Sequence, residues 1–333
     1  MLNNRFFDSP DRMADDIIQG FALVWNDYVK AAGHCIYYKQ LETTEPRIGT
    51  MYLGGAGHEP GSLAFIGREW ENLRVIGDIF AAPSAQTVLE GIRLLDKGKG
   101  VFLYCGNHEG DVMAARLAVR LAKREGREVS LFIIRDDCSV FGRDEMDSRR
   151  HVCSGPLLSK MIGAAVSKGY TMQELMEIGD KFTRNVSAIS VASKGAHHPI
   201  TGRLLTDIPD GKMVIGMGHH GEGSQQQQDL LSSVETVRIM VGKIVADLGL
   251  EAGDQVAIML NGSGGLSYME LMIAYRNIVD CLGDLGISIY FKLAGSFTTT
   301  MDQIGFGIGL LRLDGEMQEL ISAPCKTPFY TFA

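Results

Sequence analysis

Apolar and polar positions alternate in two registers along this chain. Short continuous apolar runs recur at Ile48–Leu53, Val101–Cys105, Val129–Ile134, Ala188–Ser193, Met213–Met217, Val256–Leu260, Ile287–Leu293 and Ile308–Leu313. Such runs predict strands covered on both faces of a sheet. Between them, apolar residues at helical spacing predict amphipathic helices over Gln86–Asp96, Asp111–Arg124, Pro156–Ser167, Thr171–Thr183, Leu230–Leu248 and Tyr268–Leu285. This alternation predicts an α/β fold with largely parallel sheets flanked by helices. A length of 333 residues favours two domains. We place the boundary after the helix that starts at Thr171, giving α/β domains over 1–185 and 186–333.

Composition narrows the class. A chain 45% hydrophobic and 22% charged is ordinary for a soluble globular protein. The net charge of −8 argues against a non-specific grip on nucleic acid or on an anionic membrane. The amino-terminal stretch (Asn3, Asn4, Arg5, Asp8, Asp11, Arg12) has no apolar core of a signal peptide, and no run reaches the roughly 18 apolar residues of a membrane span. Cysteines 35, 105, 138, 153, 281 and 325 form no CxxC pair, as expected of reduced thiols in a cytoplasmic protein. Forty glycines cluster at the ends of the expected strands, where backbone approaches ligands closely.

Three glycine-framed motifs carry the candidate chemistry. Gly216-Met217-Gly218-His219-His220-Gly221-Glu222 presents histidine at the end of the strand Lys212–Ile215, with little steric cover. Gly54-Gly55-Ala56-Gly57-His58-Glu59-Pro60 sends His58 out from the carboxyl end of the first strand; a tight turn with an incidental histidine is the competing reading. Asn107-His108-Glu109-Gly110-Asp111 opens a helix, where an aspartate is most often a cap or a partner of the helix dipole. All three lie at strand carboxyl ends, and that shared placement argues for a common crevice.

Other patterns argue less. Gly216-x-Gly218-x-x-Gly221 satisfies a dinucleotide fingerprint, but Glu222–Gln228 separates it from the next helix, so a nicotinamide site is weak. Gln225–Gln228 reads as a short polar loop. Asn261-Gly262-Ser263-Gly264-Gly265 looks like a phosphate cradle without the lysine of a P-loop. Asp136-Asp137 is a candidate for a hydroxyl or a metal, although adjacent side chains diverge; Arg149-Arg150 reads as a phosphate or partner contact, or more simply as a solvated basic turn. No metal site is expected: neither His-Glu pair leads to a second histidine, and His197-His198 and His219-His220 would point apart if extended.

Taken together and in this order, Gly54–Pro60, Asn107–Asp111, Asp136-Asp137, Gly218–Glu222, Asn261–Gly265 and Gly305–Leu313 resemble the substrate-binding subunit of two-component dihydroxyacetone kinases, the DhaK family. The resemblance runs from roughly residue 10 to the carboxyl terminus. It implies that His220, not His219, adds to a ketone and holds the substrate as a hemiaminal. An ordinary imidazole is largely neutral near pH 7 and has the lone pair this needs. It implies that Asp111 accepts the proton of the phosphorylated hydroxyl and that His58 orients the adduct. Gly54, Gly55, Gly57 and Gly218 are expected to contact substrate through backbone, with His108 and His219 as further donors. No cofactor is expected on this chain. A helical, nucleotide-binding DhaL-like partner subunit would carry Mg with ADP or ATP, and a homodimer is expected by resemblance alone.

The chain departs from the family pattern in ways that bear on substrate. Gly106 stands where a lysine is usual, Ala82 where a serine is usual, and His108 where a tyrosine is common. The usual Gly-Arg-Arg-Gly reads Ser148-Arg149-Arg150-His151. Each lost polar contact costs about 1 kcal/mol of binding if unreplaced, and leaves room for a longer or branched ketose such as erythrulose or apulose. The alternative is a catalytically silent paralogue that binds ketose and activates a transcription regulator. The presence of His58, Asp111 and His220 together favours the enzyme.

Overall fold

The structure, a computed structural model, describes residues 5–222 and 227–333. The chain divides into two compact α/β units. The first comprises Phe7–Ile134, Leu158–Lys181 and Glu319–Ala333; the second comprises 5–6, Arg135–Leu157 and Phe182–Gln318. The expected boundary at residue 185 falls beside the passage at Lys181–Phe182. Neither unit is one continuous stretch, however, and Arg135–Leu157, expected in the first, belongs to the second. The reason is a strand-edge contact: Asp137 bridges to Ala188, and Cys138 N–H donates to the Ala188 carbonyl at 2.9 Å. Periodicity cannot show such a pairing.

In the first unit, six strands run β1 (Val29–Ala32), β2 (Cys35–Tyr38), β3 (Gly49–Ala56), β4 (Leu73–Ile79), β5 (Val101–Gly106) and β6 (Val129–Ile134). Their order is β1-β2-β4-β3-β5-β6, with β4, β3, β5 and β6 parallel and the β1–β2 hairpin antiparallel at one edge. Helices α1 (Met13–Val24), α2 (Gly61–Ala64), α3 (Ala85–Leu95) and α4 (Glu109–Arg124) belong here. Ser84 caps α3 by accepting from Thr87 N–H at 3.1 Å, and its stripe Val88, Leu89, Ile92 and Leu95 joins Met51, Leu53 and Leu103 in the core. Gly91 permits the close seat: a Cβ there would lie 2.8 Å from Val75. The chain passes between units within α5 (Gly155–Ser167), α6 (Met172–Asn185) and α9 (Gly315–Ile321), and β13 (Cys325–Lys326) pairs with β14 (Thr331–Phe332).

The second unit holds β7 (Val186–Lys194), β8 (Lys212–Ile215), β9 (Gln227–Asp229), β10 (Gln255–Gly262), β11 (Ser288–Gly295) and β12 (Ile304–Arg312), in the order β11-β10-β12-β7-β8-β9. Here the expectation of a largely parallel sheet is corrected. Among the described residues of this sheet, β10 and β11 are the only parallel pair of strands; the remaining neighbours are antiparallel. A strand buried on both faces is apolar throughout, whichever way its neighbour runs. Helices α7 (Ser233–Leu248) and α8 (Tyr268–Asp284) each start with a capping box, Ser232/Glu235 and Ser267/Glu270. That cap starts α7 at Ser233 rather than Leu230. Part of the expected polar loop is β9; Gln225 and Gln226 lie outside the described residues.

Strand β12 carries glycine at every second position, Gly305, Gly307 and Gly309. A Cβ at Gly305 would lie 2.2 Å from the Val191 carbonyl, at Gly307 3.3 Å from Cys153 Sγ, and at Gly309 2.3 Å from Ser154 Oγ. Gly307 and Gly309 let the Cys153–Ser154 segment lie directly on the sheet, and Gly305 lets β12 lie close against β7. Among the described residues, no helix is long and apolar enough to cross a membrane.

Candidate functional site

Two groups of candidate residues emerge, one in each unit. In the first unit, β3 connects to β4 on one side while β5 connects to β6 on the other. The order reverses between β3 and β5, which makes their carboxyl ends a topological switch point, where open α/β sheets bind ligands. His58 follows β3 and Asn107–Asp111 follows β5, so this unit brings both motifs to one sheet edge.

Local packing fixes the His58 turn. Gly57 adopts φ +97°, and a Cβ there would meet the Phe80 ring at 2.6 Å. A Cβ at Gly55 would lie 2.8 Å from the Ala81 carbonyl. The glycines thus seat the Phe80–Pro83 loop, and the His58 ring packs 5.2 Å from Phe80. Glu59, half-buried in the same turn, accepts from Gly57 N–H at 3.0 Å, and burial raises its carboxyl above the usual range.

Of the two helix-terminus readings of Asp111, a cap does not hold and a dipole partner does. The cap position is His108, whose side chain makes no capping bond, and Asp111 lies inside the first turn of α4. There it is 8% exposed, with the helix dipole favouring its negative charge. Gly110 presses on the loop opposite, where its Cβ would lie 3.2 Å from Ala82 Cβ.

In the second unit, strand β7 organises the histidine loop along one edge. Ala188 holds the Asp136–Cys138 segment, Ser190 O accepts from Gly216 N–H at 2.6 Å, and Val191 and Ala192 pair with β8. Ser190 Oγ also donates to the Met217 carbonyl. The loop's exit is held by Thr206, whose hydroxyl donates to Gly221 O at 2.6 Å. Gly218 N–H closes the turn onto Glu222 O at 2.5 Å.

His219 and His220 part company inside this turn. His219 is buried and its Nε2 donates to the Val152 carbonyl; burial lowers its pKa to about 4, so the ring is neutral. His220 remains partly exposed, with its backbone N–H donating to Glu222 Oε2 at 2.8 Å and its Nδ1 3.6 Å from Glu222 Oε1. Gly218, expected to contact substrate, lies beneath other groups: a Cβ there would meet Glu222 Cδ at 2.5 Å and an Arg150 guanidinium nitrogen at 2.8 Å.

The acidic and basic pairs prove to be supports. Asp136 is fully buried, accepting from Val152 N–H at 2.7 Å and Ser154 N–H at 2.8 Å, with His151 Nδ1 at 3.2 Å. Burial alone would raise its carboxyl, but His151 and these N–H groups hold it well below the usual range. Asp137 accepts from Ser139 N–H at 2.8 Å and pairs with Arg150 at 2.6 Å. Arg149 is buried against Asp247, and Arg150 donates to Gly216 O at 2.6 Å and Glu222 O at 2.7 Å. The reading of a solvated basic turn is therefore corrected.

The phosphate-cradle reading of Asn261–Gly265 is corrected as well. Asn261 Oδ1 accepts from Thr298 N–H at 2.8 Å, and a Cβ at Gly264 would lie 2.3 Å from the Met301 carbonyl. The loop is packed on its neighbour, with its glycines used for that contact. The nicotinamide reading fails too, because β9 intervenes before α7 begins.

The Dak1 domain model matches residues 19–329. This chain belongs to the Dak1 domain family. It is 30% identical over 319 residues to the PTS-dependent dihydroxyacetone kinase 2, dihydroxyacetone-binding subunit DhaK, of Listeria innocua, covering 95% of this chain and 96% of that one. It is 27% identical to the L-erythrulose kinase of Pectobacterium atrosepticum, covering 97% of this chain and 55% of that longer protein. Among solved structures, the dihydroxyacetone kinase from C. freundii, in complex with AMP-PNP and Mg2+, superposes with a TM-score of 0.89 at 26% identity, over 99% of this chain and 61% of that one. The Dak1 relatives thus include both separate subunits and kinases nearly twice this length.

Sequence reasoning marked His220 through its flanking glycines but left Glu222 as a mere motif letter. It left Arg150 on a surface. The one available signal for Glu222 was its two-residue offset from His220, which allows a carboxylate to turn back onto the same peptide.

Proposed function

We propose that this chain captures a short ketose on His220 and presents it for phosphorylation by a nucleotide-carrying partner subunit. The observation that carries the reading is the pairing of His220 Nδ1 with the Glu222 carboxylate. A carboxylate on that side favours the tautomer protonated at Nδ1, which puts the nucleophilic lone pair on Nε2. Nε2 attacks the ketone carbon, the carbonyl π pair moves to oxygen, and the Nδ1 proton is given up as the oxygen gains one. The product is a neutral hemiaminal, which glycerol, having no carbonyl, cannot form.

Asp111 accepts the proton of the hydroxyl that is phosphorylated, and His58 orients the adduct. Mg with ADP or ATP resides on a helical DhaL-like partner, since phosphoryl transfer needs charge neutralisation that these side chains do not supply. The chain acts as a homodimer in the cytoplasm. Ala82, Gly106 and His108 leave room for a four-carbon or branched ketose beside dihydroxyacetone. Asp111 favours this reading over a silent coactivator, which needs no general base.

Native intact-mass spectrometry after separate incubation with dihydroxyacetone, erythrulose and apulose tests it. A retained adduct of whole-substrate mass, absent in His220→Ala, is expected for at least one. An adduct that persists in His220→Ala, or turnover unaffected by that substitution in the presence of the partner subunit, would sink the proposal.

A further inference from the structure

Among the described residues of the second unit, the Arg150 side chain grips both ends of the histidine loop. One guanidinium nitrogen donates to Gly216 O at 2.6 Å, where the loop leaves β8, and the other donates to Glu222 O at 2.7 Å, where it ends. Nε pairs with Asp137 Oδ2 at 2.6 Å. All three nitrogens of the planar fork thus donate, a geometry that lysine, a single point charge on a flexible stem, does not reproduce.

The anchor beneath the fork is rigid. Asp137 is 3% exposed and is bound through Ala188 to the same strand, β7, that receives Gly216. Two residues on, Val152 accepts from His219 and donates its own N–H to Asp136. One strip of chain, 136–152, therefore meets the loop at three of its residues. Glu222 is the residue whose carboxylate faces the His220 ring, so holding its carbonyl also sets where that carboxylate stands.

We propose that Arg150 is a positioning residue for His220: by tying Gly216 and Glu222 to Asp137 it fixes the angle at which the imidazole meets a ketone. This rests on the reading of His220 as the ketose-capturing residue. It makes the fork, rather than positive charge as such, the requirement at this position. The contribution appears in capture, before any phosphoryl transfer, because it acts on the geometry of the attacking ring.

The test uses the full chain as wild type, Arg150→Lys and Arg150→Met, with two readouts. Amide hydrogen exchange over 217–222 is expected to accelerate about ten-fold in both variants, with β10 and β12 unchanged, as local release of a loop requires. Dihydroxyacetone and erythrulose capture, read by native mass spectrometry, is expected to weaken about ten-fold in both, the worth of one charge-assisted hydrogen bond. Unchanged exchange in the loop, full restoration by lysine, or an equal acceleration across the whole unit would overturn the proposal. If wild type captures neither ketose, the functional reading fails, and the exchange result still decides the role of Arg150. Should both variants fail to fold, Asp137→Asn, which keeps the fork and removes its anchor, is expected to release the loop in the same direction, and a wild-type exchange pattern there would count against the idea.

Discussion

The carboxylate of Glu222 holds His220 twice: Oε2 accepts from its backbone N–H at 2.8 Å, and Oε1 lies 3.6 Å from its ring Nδ1. The first contact fixes the peptide, and the second biases the tautomer electrostatically. A single residue thereby contacts both the backbone and the ring of its histidine.

Glu222→Gln separates the two effects. The amide oxygen still accepts from the backbone, while the charge facing Nδ1 is gone. Ketose capture is expected to weaken about ten-fold, the scale of a lost charge-assisted contact, with thermal stability nearly unchanged. Capture at the wild-type level, measured by native mass spectrometry, would show that the backbone contact alone matters.

The neutral, buried His219 ties stability to pH. Its pKa is about 4 in the fold against 6.5 in an unfolded chain, so between those values the unfolded state binds more protons. This contribution to stability is fully present above about pH 6.5 and is lost as pH drops towards 4, amounting to about 3 kcal/mol at 1.36 kcal/mol per pKa unit. Urea melts at pH 7.5 and pH 4.5 should show this loss, and His219→Gln should remove most of its slope. An equally steep slope in the variant would assign the effect to other groups.

The glycines of β12 predict a ranking. Gly305→Ala meets a backbone carbonyl that cannot step aside, and overpacking of that kind costs about 1–3 kcal/mol. Gly309→Ala meets the Ser154 hydroxyl, a side-chain end that can rotate, and Gly307→Ala meets Cys153 Sγ at a tolerable 3.3 Å. Melting temperatures should fall in the order Gly305→Ala most, Gly309→Ala next, Gly307→Ala least. A Gly309→Ala chain as stable as wild type would mean that the Cys153–Ser154 segment does not rest on this strand.

Strands with unbroken apolar runs were legible in the sequence. Strand β4, Leu73–Ile79, was not, because Arg74, Gly77 and Asp78 interrupt its pattern. The structure shows why a charge is tolerated there: Arg74 is buried, paired with Glu71 at 2.8 Å and lying 4.4 Å from the Tyr52 ring centroid. The histidine loop was legible for the opposite reason, since glycines in a turn signal backbone demands that few other residues meet. Arg150 could not be read, because its partners Gly216 and Glu222 lie 66 and 72 positions further on. Sequence spacing carries information about neighbours along a helix or strand; it carries none about a fork that closes across a fold.

The glycine-lined face of β12 also dictates an order of events as the chain folds. The strip that bears Asp136, Arg150 and Ser154 leaves the ribosome about 150 residues before the strand it must lie on, and separations of that size slow folding. Until β12 exists, Cys153 and Ser154 lack the glycine face on which they rest. That seat is therefore completed only after the last strand of its sheet has been made, although the strand that anchors Asp137 and receives Gly216 precedes it by more than a hundred residues.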